Sequence, residues 1–164
     1  MRLMKLLLLV SALLIACRGE RDSQESSGTS VIEIDGTQLP QRSTLNSRAK
    51  EMLKDWPAFQ ELEKSFEALY RVENNEDLIL VVEEMIKRQN DLEDSEYPEA
   101  FDIPHVKSRQ KVFKTYLLKL KAASEYRTEV VSPAREMLEA YNAFLEQFNI
   151  VVNDTLDLNL ILDE

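Results

Sequence analysis

One histidine, one cysteine and one run of acids are the residues of this chain with chemistry to offer. His105 would be the base of any Ser-His-Asp hydrolase. No nucleophile-elbow pattern such as G-x-S-x-G accompanies it, and a partly exposed helix start beside Pro104 accounts for it. A di-iron carboxylate centre needs Glu-x-x-His pairs, and a bis-histidine haem needs two histidines. The single histidine, with no Glu three residues before it, excludes both. No catalytic residue and no cofactor is therefore expected, and the chain reads as a non-enzyme.

Residues 91–102, DLEDSEYPEAFD, hold six acids and no base. Asp91, Glu93, Ser95 and Asp102 stand at positions 1, 3, 5 and 12 of a calcium-loop pattern. Against it, Glu96 falls where the loop needs Gly, Pro98 occupies the eighth position, and Asp102 is too short to mimic a bidentate Glu. Asp91, Glu93 and Asp102 are a weak metal candidate, and the expectation is a solvated acidic loop. The sign then reverses. From Ile103 to Ser124 there is no acid, and Lys107, Lys111, Lys114 and Lys121 share one helical face. That face could dock an anionic partner, such as lipid headgroups, an envelope polysaccharide or an acidic protein. The plainer expectation is pairing with acids of neighbouring helices, Glu51, Asp55, Glu63 and Glu136 among them.

The elements that must position these residues read as helices. Three Gly and five Pro among many Leu, Glu and Lys suit a helical body. Leu45, Ala49, Met52, Trp56, Phe59, Leu62, Phe66 and Leu69 recur at three- and four-residue steps, one apolar stripe. Pro57 either kinks that helix or starts a second, with Asp55 as candidate cap. Asn74 opens the next helix, whose segment Leu78 to Val82 could also pass for a buried strand; the capping pattern favours helix. A third runs from about His105 to Arg127. Ser132-Pro133 reads as a cap and first helical residue of a fourth, one long kinked helix being the alternative. Trp56, Phe59, Phe66, Phe113, Tyr116, Tyr141, Phe144 and Phe148 are core by default, and a ligand pocket between helices is the alternative. Leu156, Leu158, Leu160 and Leu162 alternate with other residues as in a strand, and Val31 to Ile34 alternates weakly. The expected fold is all-α, a four-helix-bundle-like domain over residues 44–153. A two-stranded appendage would join residues 31–34 to 156–162, within a strand-like or flexible tail at 154–164.

The N-terminal segment carries the clearest signal. Arg2 and Lys5 precede an apolar run from Leu6 to Ala16, too short to span a bilayer, where about 20 residues are needed. The run ends in Leu14-Ile15-Ala16-Cys17, which resembles the lipobox of bacterial lipoproteins. The resemblance implies a signal peptide at 1–16, a diacylglycerol thioether on Cys17 and an acylated, palmitate-type N-terminus. Residues 17–43, polar in their first half, would be the lipidated tether. Arg18 follows the cysteine where an Asp would favour inner-membrane retention, so the resemblance points to the outer membrane. The stretch PHVKSRQKVFKTYLLKL at 104–120 loosely resembles small helical lipoproteins of Gram-negative bacteria and implies no activity.

The net charge of −10 argues against nucleic acid as a partner. Cys17 is the only cysteine, so no internal disulfide forms. The functional expectation is a lipid-anchored cell-envelope module, held at the membrane, that binds an envelope protein or polysaccharide. The alternative is a small-ligand binding or sensing domain with an aromatic-lined pocket.

Overall fold

The computed structural model describes residues 39–161, with side-chain surroundings described to Asn153. The chain divides into two units, residues 1–30 and 31–164, and the described residues lie in the second. Five α-helices occur among them: α1 (Ser47–Leu53), α2 (Pro57–Leu69), α3 (Asn75–Asp94), α4 (Pro104–Glu125) and α5 (Val131–Ile161). A single 3-10 turn, Glu99–Phe101, lies between α3 and α4.

Local chemistry sets most of the boundaries. Asn46 caps α1 by accepting from the Ala49 amide at 2.8 Å. Pro57 starts α2 rather than kinking a longer helix, since its fixed φ suits a first position and it has no N–H to leave unpaired. The cap residue is Trp56, without a side-chain bond, and not Asp55. Asn74 caps α3 through the Asp77 amide and also donates to the Asp77 carboxylate at 2.7 Å. Leu78 to Val82 is helical, as the capping pattern implied. Arg127 ends α4 in the left-handed region at φ 52°. The Thr128 amide returns to the Ala123 carbonyl and the Arg127 amide to Ser124, which closes a Schellman turn.

The four longer helices run alternately up and down. Trp56 meets Ser95, Glu93 meets Lys114, Asn75 meets Ser124 and Lys119 meets Glu136, so each sequential pair is antiparallel. Rings close the circuit between α2 and α5: Phe66 stacks on Tyr141 at 4.1 Å and Phe59 meets Phe148 edge-on at 5.4 Å. Phe66 also faces Phe113 on α4, and Phe101 from the 3-10 turn packs on Phe148 at 4.8 Å. These aromatic contacts are each worth about 0.5–1.5 kcal/mol beyond the area they bury. α1 packs against α5. The result is an all-α, bundle-like fold.

Three expectations are corrected. Residues 154–161 are not strand-like: α5 continues through them to Ile161, and there are no strands among the described residues. No Gly or Pro interrupts the chain after Pro133, and Phe148, Val152, Leu156 and Leu160 are four apart, so helical periodicity persists beneath the alternation. Residues 31–34, its proposed strand partner, and residues 162–164 lie outside the described residues. The domain also begins before residue 44, because Leu39 is buried and Arg42 is paired with Glu63. Finally, α5 begins at Val131 rather than after a Ser132 cap. The Val130 carbonyl accepts from Ala134, Glu129 accepts from the Ser132 amide at 3.0 Å, and Pro133 sits in a first turn that asks for no N–H.

Candidate functional site

The acidic loop does not assemble. Asp91 and Glu93 are both on α3, two residues apart and so pointing in different directions. Asp91 lies 3.8 Å from Arg88, Glu93 pairs with Lys114 at 2.5 Å, and Asp102 pairs with Lys107. Three cations take the three acids, and no group of three or more metal-ligating side chains forms among the described residues. His105 is exposed at the second position of α4.

The lysine face is largely engaged. Lys107 meets Asp102, Lys114 meets Glu93, and Lys121 lies between Glu83 at 3.3 Å and Glu125 at 3.4 Å. Glu83, hydrogen-bonded to it, and Glu125 together hold the Lys121 pKa above its ordinary value. Lys111 is exposed, with no ion-pair partner among the described residues. Of the acids expected as partners, Glu136 pairs with this helix, through Lys119, while Glu51 pairs with Lys54 and Glu63 with Arg42.

Sequence reasoning missed a clasp at the start of the domain. The Arg42 guanidinium lies over the Phe66 ring at 5.2 Å and the Tyr141 ring at 6.0 Å, and binds a Glu63 carboxylate oxygen at 2.5 Å. The other Glu63 oxygen accepts from the buried Tyr141 hydroxyl. Burial first, and then the Glu63 charge, push the Tyr141 pKa well above its ordinary value. Beside the clasp, two asparagines of α5 hold the backbone of the lead-in segment. Asn142 accepts from the Ser43 amide and donates to the Gln41 carbonyl, both at 2.8 Å. Asn149 accepts from the Asn46 amide at 2.8 Å and donates to the Thr44 carbonyl at 3.1 Å. The pair stands seven residues, about two helical turns, apart on one face. That spacing of amide side chains was the available signal.

At the end of the bundle where α2 starts, α3 stops and α4 begins, the turn at residues 95–99 folds over Trp56. Its indole N–H donates to Ser95 Oγ at 2.8 Å, and the Tyr97 ring lies 4.8 Å from it. Outside this contact runs an open cleft of about 680 Å³, with an apolar lining of Met52, Trp56, Pro57, Ala58, Tyr97 and Pro98. Ser95 and the acids Asp55, Glu96 and Glu99 complete the lining. None of the three carboxylates has an ion-pair partner among the described residues. A second cleft of about 580 Å³ continues from the first, sharing Ser95, Glu96, Tyr97 and Glu99 and reaching Asp102 and Lys107. There the Lys107 ammonium sits 5.0 Å above the Tyr97 ring while paired with Asp102. The Tyr97 hydroxyl donates to Gln110 Oε1. Burial pushes the Tyr97 pKa up, and the charges of Glu93, Asp102 and Asp94 add to it against that hydrogen bond.

The aromatic residues expected in the core engage one another ring on ring, with Tyr141, Phe144 and Phe148 forming an unbroken series along α5. Tyr116 differs, being half-buried beneath Lys119. Cys17 lies outside the described residues, and no helix among the described ones is long and apolar enough to cross a membrane. Comparison with known proteins finds no match: no family model, no curated protein and no solved structure aligns significantly with this chain.

Proposed function

We propose that this chain is a lipid-anchored, non-catalytic interaction module of a bacterial cell envelope. The observation that carries the reading is Leu14-Ile15-Ala16-Cys17, placed at the end of an apolar run of signal-peptide length that follows a basic start. Two or more acyl chains on Cys17 hold a protein at a bilayer where a single chain gives marginal binding. Arg18 favours the outer membrane. The domain supports the second half of the reading. Its lysine face is mostly paired, its acids near residue 91 are dispersed, and the cleft beside Trp56 is open as a contact surface is.

Labelling with a clickable palmitate analogue tests the anchor. Label is expected on the wild-type chain and absent from Cys17→Ser; equal labelling of both overturns it. Crosslinking in intact cells tests the module, with a specific partner expected from the wild type and lost on Cys17→Ser.

A further inference from the structure

Resting on that reading, we propose that the cleft beside Trp56 and Tyr97 is the docking site for a lysine-bearing segment of a partner protein. Its ammonium groups would lie between the Tyr97 ring and the carboxylates of Asp55, Glu96 and Glu99.

The chemistry is already present in the neighbouring cleft. Lys107 rests its ammonium on the Tyr97 ring and completes the contact with the Asp102 carboxylate. The cleft on the Trp56 side is lined by the same Tyr97 and by the carboxylates of Asp55, Glu96 and Glu99, with no Lys or Arg among its lining residues. Its carboxylates lack an ion-pair partner among the described residues, while those of Glu93, Asp102 and Glu63 each have one. Its apolar lining suits the four-carbon stem of a lysine, which covers apolar surface while its head stays polar. The two clefts are open and run into each other around the turn at 95–99. A small ligand is held by a site that encloses most of its surface, so this shape favours an extended segment. A net charge of −10 draws such a partner in.

The test uses the full chain in detergent and a fluorescein-labelled heptalysine, with the fully acetylated peptide as control. Binding is read by anisotropy and by the emission of Trp56, the sole tryptophan, which lines the cleft. Wild type is expected to bind heptalysine, not the acetylated peptide, with a change in Trp56 emission. The variant D55N/E96Q/E99Q should bind about tenfold more weakly at an unchanged melting temperature. The variant E67Q/E73Q/E139Q, which removes three exposed acids elsewhere, should stay within about twofold. Equal weakening by the two variants, equal binding of the acetylated peptide, or no binding by wild type overturns the proposal. In cells, a partner crosslinked equally well to D55N/E96Q/E99Q overturns the cleft and leaves the anchored module standing. Loss of palmitate labelling from the wild type overturns the anchor and leaves the peptide result untouched.

Discussion

Tyr141 donates its hydroxyl to Glu63 from across the bundle, joining α5 to α2 beneath the Arg42 guanidinium. Tyr141→Phe removes the donor but keeps the ring on Phe66, and Glu63 keeps Arg42. A hydrogen bond to a charged group contributes about 1.5–3 kcal/mol, and the variant should lose up to that amount in urea denaturation.

The same residue predicts alkaline sensitivity. Its folded pKa lies above the ordinary value of 10.0. Below that pH both states hold the phenolic proton and the contribution is complete. Above it the unfolded chain releases the proton first, so stability falls as pH rises. Tyr97 acts in the same direction. Stability measured from pH 8 to 11 should fall less steeply in Tyr141→Phe; an unchanged slope would contradict the assignment.

Asn142 and Asn149 should hold the lead-in segment jointly. The double change to Ala removes four bonds to backbone atoms, at residues 41, 43, 44 and 46. At about 1 kcal/mol each when partly exposed, its loss should reach 2–4 kcal/mol. Hydrogen exchange at the Ser43 and Asn46 amides should accelerate before that of the α4 interior.

Gln89 is fully buried on α3 with neither amide atom hydrogen-bonded. Gln89→Met keeps the length and removes the polar groups, so a gain of about 1–3 kcal/mol is expected. A loss in thermal and chemical unfolding would show that the amide is satisfied in solution.

Arg127 occupies a left-handed position that glycine adopts without steric cost. Arg127→Gly forfeits an exposed ion pair with Glu76, worth little, and relieves the backbone. Calorimetry should show a net gain of about 0.5–1 kcal/mol.

Apolar periodicity made the bundle legible, because stripes such as Phe59, Leu62, Phe66 and Leu69 report directly which face must be buried. Capping chemistry located α3 at Asn74 for the same local reason. What failed were readings that needed distance or competition between patterns. The alternating leucines after residue 154 satisfy two periods at once, and the long helix already in progress decides between them. The solvated loop expected at 91–102 begins instead on α3, and three of its acids meet Arg88, Lys114 and Lys107 on other turns or helices. Leu39 and Arg42 sit in a polar stretch with no periodicity, and the segment is placed by contacts distant in sequence: Arg42 with Glu63 and Tyr141, Ser43 with Asn142, Asn46 with Asn149. The cleft was missed because Trp56 read as core, which it is, and its outer edge emerges only when the turn at 95–99 folds beside it.

The asparagine ladder has an evolutionary corollary. Asn142 and Asn149 grip carbonyls and amides, which every residue type supplies apart from proline's missing N–H. Selection for this contact therefore falls on two helix positions and leaves the side chains at 41 and 44 free to drift. The segment leading into the domain can change its surface chemistry across lineages while its point of attachment to α5 stays fixed.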